Sequence, residues 1–174
     1  MADAKNEMTL FMVKPHAYDQ RHPICSHILD YPKNNKFYSD GRRSVELQLA
    51  CDKTFMLDTD TAMAFYYVHR DRPFFLQLIR MITEGPSYVG IIHGPEAIMN
   101  LRQIMGATNP KSAADGTIRK KYGIDIDKNA VYGSDAPESA QWEIPFIYST
   151  AEIIRGGLGD SKKIKGKNHV RPKA

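Results

Sequence analysis

An α/β sandwich is the fold class this sequence predicts, from three observations. Segments of strand character alternate with segments of helical periodicity, and proline and glycine fall where helices begin and stop. The chain has 174 residues, 42% of them hydrophobic, enough to bury one sizeable core and most simply one domain. No run reaches the ~18 consecutive apolar residues that a membrane span needs. The opening MADAKNEMTLFMVK lacks a basic flank before an apolar signal core, and the two cysteines, Cys25 and Cys51, are too few for a disulfide scaffold. A soluble, cytoplasmic protein is expected.

Taken in order, MTLFMVKP reads as a buried first strand ending at Lys14, and ICSHILDY as a short helix. NNKFYSDGRRS is polar and contains a glycine, which predicts an exposed hairpin or loop. In SVELQLACDKTF, Val45, Leu47, Leu49 and Cys51 alternate with Glu46, Gln48 and Ala50, the period of a half-buried strand. DTDTAMAFYYVHR opens with helix-capping residue types. RPFFLQLIRMITEGP places Pro73 where a first helical turn tolerates it and Gly85 where a helix stops, with Phe75, Leu78, Ile79 and Ile82 at helical spacing between them.

SYVGIIHG is the next strand. PEAIMNLRQIMG predicts a helix opened by Pro95 and closed by Gly106, with Ile98, Leu101 and Met105 as its buried stripe. ATNPKSAADGTIRKKYGIDIDKN has no sustained period and reads as a long ordered loop, a type that usually carries function. Asp135 with Glu138 caps a helix running through Trp142, and PFIY follows as a last strand. No internal repeat is present.

Charge is unevenly placed. The net charge is +4, yet the last 20 residues carry seven Lys or Arg and one Asp, so the tail holds +6 and the rest −2. RGGLGDSKKIKGKNHVRPKA has almost no apolar residues and is expected to be disordered or loosely docked. A solvated terminus is the simpler reading than an arm for nucleic acid or an acidic partner.

NAVYGSD, residues 129–135, places a Gly-Ser-Asp turn ahead of a helix, where unpaired backbone donors suit an anion. Phosphate chemistry needs cations and hydroxyls converging on one anion. Lys14 at a strand end, Arg102 beside an apolar helix stripe, and Thr108, Arg119 and Asn129 in the long loop all lead to Tyr132. Arg pairs with phosphate oxygens as a fork, and Lys acts as a point charge. Each alone is as consistent with a solvated side chain.

Their joint order and gaps resemble the nucleoside diphosphate kinase family. Its members read approximately TLxxIKPD, YxxHxxRPFF, RxxxGxTNP, PGTIR and NxxHGSDxxESAxxEI. This chain has TLFMVKPH, YYVHRDRPFF, RQIMGATNP, DGTIR and NAVYGSDAPESAQWEI. The resemblance is continuous over residues 66–144 and returns around Lys14. It is weak over residues 18–60, where surplus length is read as an insertion at residues 34–44, and it fades beyond Tyr148. Two regions follow, a kinase-like domain at residues 1–150 and a basic tail at residues 151–174.

The resemblance implies a ferredoxin-like four-stranded antiparallel sheet with helices packed on it, usually assembled into homo-oligomers, tetramers or hexamers. It implies transfer of a γ-phosphoryl group from a nucleoside triphosphate, such as ATP or GTP, to a diphosphate through a phosphohistidine, with magnesium bridging the phosphates. Carried over by motif, Tyr66 borders the nucleotide site and Phe74 stacks on the base; core packing is the alternative for both. Lys14, Arg102, Thr108, Arg119 and Asn129 hold phosphates and sugar hydroxyls. Glu143 orients the side chain at position 132, with Ser134 beside it.

Position 132 is where the motif carries the phospho-acceptor histidine, and this chain has tyrosine. A neutral imidazole with a pKa of ~6.5 is an available nucleophile near neutrality, whereas a phenol at ~10 stays protonated. A tyrosine phosphate ester is also a poor donor. The phenol oxygen sits farther from the backbone than the ring nitrogen, and a misplacement of ~1 Å can cost about a hundredfold. Severely reduced or absent transfer is expected, with nucleotide binding retained. Other departures are His16 for the motif's aspartate, Asp115 for the proline before GTIR, and Val68 where many relatives have an acid. His16 is a candidate replacement nucleophile, while His69 and His93 suit packing or hydrogen bonding. Three functions fit these residues: a nucleotide-binding pseudoenzyme, an active kinase trapped by a single substitution, and a nucleotide-independent scaffold or interaction module.

Overall fold

The computed structural model describes residues 6–38 and 40–158. Four strands, β1 (Asn6–Val13), β2 (Gln48–Phe55), β3 (Ser87–Pro95) and β4 (Val131–Gly133), form one antiparallel sheet in the order β2-β3-β1-β4. This is the ferredoxin-like arrangement expected from the motifs. β1 lies inside the sheet and is apolar on both faces, so it reads as a continuous hydrophobic run. Leu10 and Met12 join Cys51, Val89 and Ile91 on one face. Helices α3 (Thr59–Phe65), α4 (Phe75–Thr83), α7 (Pro137–Ile147) and α8 (Thr150–Ile153) supply Phe65, Ile79, Ile82, Ile144, Ile147 and Ile153 to that same core. Phe11, Val13 and Ile92 point the other way, against Ile24 and Ile28 of α1 (Arg21–Leu29), Leu101 and Ile104 of α5 (Ala97–Met105), and Ile118 of α6 (Ile118–Tyr122). Each such side chain buried contributes roughly 1.5–3 kcal/mol by transfer from water.

Several boundaries differ from the sequence expectation, each for a physical reason. The alternation from Val45 to Cys51 does not put all four residues on one face. A bulge at Ala50 lies between the pairs Leu49↔Ile92 and Cys51↔Ile91, so Val45, Leu47 and Leu49 pack into the α1/α5 core while Cys51 turns to the other. Pro95 ends β3 instead of opening α5. Glu96, at φ 46°, makes the corner. Pro73 likewise precedes α4, which starts at Phe75. The polar stretch around residue 38 is closed by a bridge between Phe37 and Arg43, yet Tyr38 is buried and stacks on Tyr31 of the one-turn helix α2 (Tyr31–Asn34), at 5.5 Å. The long loop contains a one-turn helix, α6.

The largest correction concerns the last strand. PFIY is helical: α7 runs through Pro145 to Ile147, because Ala140, Glu143, Ile144 and Ile147 keep a helical stripe buried. Pro145 removes one backbone donor, and the carbonyl it leaves behind is that of exposed Gln141. Asp135 does not cap this helix; the N-cap is Ala136, and Asp135 Oδ1 accepts from Ser139 Oγ at 2.5 Å. The fourth strand is instead β4, inside NAVYGSD, with Tyr132 opposite Met12. Gly133 permits this, since a Cβ there would lie 2.9 Å from Met105 Cε and 3.2 Å from Leu101 Cδ2.

The first residues of the basic tail are folded. Ser149 and Glu152 form a capping box at the start of α8, Ile153 is buried, and Gly156 abuts Cys51. Lys53 Nζ ties β2 to this segment, donating to Ile147 O at 2.8 Å and to Glu152 Oε1 at 2.7 Å. Residues 159–174, and with them most of the region expected to be disordered, lie outside the described residues.

Candidate functional site

Two groups of side chains meet at the carboxyl end of β1 and along β4. Lys14, the first residue after β1, is buried; its Nζ donates to Asp127 O at 3.3 Å, and burial together with the Arg119 charge lowers its pKa to about 8. Arg119 leaves α6 toward the same place. Its Nη1 donates to Gly106 O at 2.9 Å and its Nη2 to Val131 O at 3.1 Å, so the guanidinium bridges the end of α5 and the start of β4. The Gly106 end of α5 depends on a φ of 82°, which favours glycine. Burial, then the nearby Arg102, lowers the Arg119 pKa to about 10. Arg119 thus acts on Lys14 and Arg102 on Arg119, a chain of positive charge whose exposed member is Arg102.

Asn129 is buried at the end of the long loop. Its Nδ2 donates to Thr108 O at 3.2 Å and to Ile126 O at 3.0 Å, which joins the two ends of that loop; Thr108 itself is exposed. Among the described residues, Arg119 Nε and Asn129 Oδ1 are buried with no hydrogen-bond partner. Leaving a buried polar group unmatched costs about 1–3 kcal/mol; the Arg119 Nε donor suits an anionic oxygen, and the Asn129 Oδ1 acceptor suits a hydroxyl.

Tyr132 projects from β4 into the other group. Its Oη donates to Glu143 Oε1 at 2.5 Å, and Ser134 Oγ donates to Glu143 Oε2 at 2.6 Å. Ser134 is itself pinned to β1: Leu10 N donates to its Oγ at 3.1 Å. Burial raises the Glu143 pKa, with the Ser134 and Tyr132 hydrogen bonds opposing. Burial, then the Glu143 charge, drives the Tyr132 phenol well above its ordinary range. The ring packs edge-on against Phe65 at 5.9 Å and Tyr66 at 5.8 Å. Tyr66 is itself a core residue, but its buried hydroxyl has no partner among the described residues. Phe74 is 48% exposed, with its ring 5.8 Å from His69, which leaves an aromatic face free at the entrance to α4.

The structure therefore gathers Lys14, Arg102, Arg119 and Asn129 on one side and Tyr132, Ser134, Glu143 and Tyr66 on the other. Asp115 is exposed, at a loop tip. His16 is not free as a nucleophile, since its Nε2 accepts the Ala130 N–H at 3.1 Å. Sequence reasoning missed Ala130, whose φ of 68° sets the turn into β4; an alanine gives no signal of a left-handed backbone. Among the described residues, no group of three or more His, Cys, Asp and Glu is placed to hold a metal, and no helix is long and apolar enough to cross a membrane.

Comparison with known proteins agrees with this fold. Residues 7–153 match the family Nucleoside diphosphate kinase, so the match runs a little past the point where the motifs fade. The chain is 40% identical over 148 residues to a nucleoside diphosphate kinase of Persephonella marina, covering 85% of this chain and 97% of that one. A Campylobacter lari nucleoside diphosphate kinase is 41% identical over 148 residues, with 85% and 99% covered. Among solved structures, the Aquifex aeolicus nucleoside diphosphate kinase superposes with a TM-score of 0.71 at 38% identity, over 85% of this chain and 99% of that one. The Halobacterium salinarum nucleoside diphosphate kinase in complex with CDP gives 0.70 at 32% identity, over 85% and 91%. With its sheet order, its clustered motif residues and a family match over nearly the whole described chain, the protein belongs to the nucleoside diphosphate kinase family.

Proposed function

We propose that this chain binds nucleoside di- and triphosphates at the cationic patch beside β4, and that phosphoryl transfer through residue 132 is severely impaired or lost. In this reading Lys14, Arg102 and Arg119 hold the phosphates, Thr108 and Asn129 hold phosphate and sugar hydroxyls, Phe74 stacks on the base, and Tyr66 borders the site. The partnerless Arg119 Nε and Asn129 Oδ1 support it, since a phosphate oxygen and a ribose hydroxyl match a guanidinium donor and an amide acceptor. The CDP bound to the Halobacterium salinarum relative supports the ligand class. Magnesium would enter on the phosphates, where it neutralises and bridges their charge.

The observation that carries the loss of transfer is the Tyr132–Glu143 hydrogen bond. In the family reaction residue 132 must offer a lone pair to the terminal phosphorus and later return the phosphoryl group. Here the atom at the end of the side chain is a protonated phenol oxygen whose proton is committed to Glu143 and whose ionisation burial opposes. Were an ester to form, its oxygen would be a strong base as leaving group, so return of the phosphoryl group to a diphosphate would be slow. Glu143 and Ser134 remain arranged to orient a side chain at this position. A nucleotide-binding pseudoenzyme is the reading these features support; its homo-oligomeric assembly and cytoplasmic location are carried over from the family resemblance.

The test is Tyr132→His. Incubation of the variant with ATP and magnesium is expected to give an acid-labile phosphoprotein and transfer to GDP, with the unaltered chain giving neither. A variant that binds ATP yet forms no phosphoprotein would place the defect elsewhere, at Asp115 or Val68. A chain that shows no calorimetric heat and no thermal shift at millimolar nucleotide would favour an interaction module.

A further inference from the structure

His16 stands where the family motif carries an aspartate, two residues past Lys14 in the turn Pro15–Gln20 that follows β1. Its Nε2 accepts the Ala130 N–H at 3.1 Å, and the Lys14 N–H donates to Ala130 O at 2.9 Å. Both polar backbone groups of Ala130 are therefore held by the segment leaving β1. Ala130 is fully buried with φ 68°. A left-handed conformation costs an alanine roughly 1–2 kcal/mol, and a buried N–H without a partner adds to that, so this conformation persists only if its surroundings impose it. The residues on either side are Asn129, with its partnerless Oδ1, and Val131, whose carbonyl receives Arg119 Nη2.

We propose that His16 is a positioning residue: its imidazole fixes the Asn129–Ala130 turn and thereby aims the Asn129 side chain, and the start of β4, at bound nucleotide. This rests on the nucleotide-binding reading of the site. It also gives His16 a role other than that of a spare nucleophile, because the lone pair that would attack phosphorus is occupied by a backbone donor.

The bond has a polarity that can be tested. Nε2 accepts only while unprotonated. Burial and the charges of Lys14 and Lys128 hold the His16 pKa below its ordinary value, with a backbone hydrogen bond to Lys128 and the Asp125 carboxylate opposing. Asp127, beyond Lys14, acts on Lys14 in the raising direction. Acid is thus expected to release Ala130. His27 provides an internal contrast: its Nε2 lies 2.9 Å from Gly116 O, an acceptor that a protonated imidazole still satisfies.

The experiment follows hydrogen exchange of the Ala130 amide in the full, nucleotide-free chain, together with calorimetric titration of ADP and magnesium. His16→Leu is expected to lower Ala130 protection, and ADP affinity with it, about three- to tenfold, the scale of one hydrogen bond. His16→Gln, whose side-chain oxygen reaches as far as Nε2, restores both and abolishes the loss of protection in acid. Unchanged Ala130 protection in His16→Leu, or a glutamine that fails to restore it, overturns the proposal. If the leucine variant does not fold, the acid dependence of the unaltered chain against His16→Gln decides the matter. Failure of the unaltered chain to bind ADP would defeat the reading of the site, while the exchange arm still decides whether His16 holds the turn.

Discussion

Arg119, half-buried, and Asn129, buried, each leave one enclosed hydrogen-bonding atom over at the cationic patch, whereas beside β4 Tyr132, Ser134 and Glu143 bond to one another and the orphan atom is the neighbouring Tyr66 hydroxyl. The difference lies in the kind of atom left over: a guanidinium donor and an amide acceptor in the first half, a phenol hydroxyl in the second. Burial first, and then the neighbouring positive charge, lowers the pKa of Lys14 and of Arg119, and a bound anion would oppose both. A carboxylate that accepts from Tyr132 and Ser134 offers a phosphate no donor. In the proposed reading the first half receives phosphate, and the second is closed around a phenol.

Removing a cation is expected to have the largest effect. Arg119→Met should weaken ADP binding roughly 10- to 100-fold, the scale of a charged hydrogen bond, and lower the melting temperature because Gly106 O and Val131 O lose their donors. Calorimetry and thermal unfolding read the two effects separately. Unchanged affinity would remove Arg119 from the ligand side. Glu143→Gln addresses the closed half. An amide cannot accept from both Tyr132 and Ser134 through its two end atoms, so a loss of about 1–2 kcal/mol in denaturant unfolding is expected with ADP affinity unaltered. A parallel fall in affinity would show that the halves are not separate.

A pH series sharpens the comparison through Lys14. Its folded-state pKa, about 8, lies below the ordinary 10.5, so the unfolded chain binds more protons between these values. The Lys14 contribution to apo stability should therefore rise as pH passes from 8 toward 10.5, while ADP affinity falls over the same range as the ammonium loses its charge. Lys14→Met should flatten both dependences. The smallest effect is expected far from the site. Lys53→Met severs the ion pair to Glu152 and the bond to Ile147 O, and for so exposed a pair should barely shift thermal unfolding, with nucleotide binding untouched.

Much of this was legible in the sequence because local and global signals agree there. β1 is an apolar run bounded by charge, α4 and α5 show buried residues at helical spacing, and the cation set follows family motifs. Misreadings occurred where tertiary packing overrides a local signal. Pro145 and the β-prone residues around it suggested a strand, but a stripe set by Ile144 and Ile147 keeps the segment helical. β4 is only three residues long and is defined by its pairing with β1, which no local pattern announces. The bulge at Ala50 shifts the pairing by one residue and sends Cys51 to the opposite core. Within the site, residue identities were readable but their engagement was not. That His16 holds a left-handed Ala130, or that Arg119 spends two donors on backbone carbonyls, depends on contacts across 114, 13 and 12 positions of chain.

The most direct measurement compares binding and turnover in one preparation of the unaltered chain, freed of contaminating kinase: ADP and ATP titrated with magnesium by calorimetry, and transfer from ATP to GDP followed in the same buffer. Saturable binding of both nucleotides with no GTP formed above the uncatalysed background is the expected result. Sustained GTP formation that scales with the amount of the chain would contradict it.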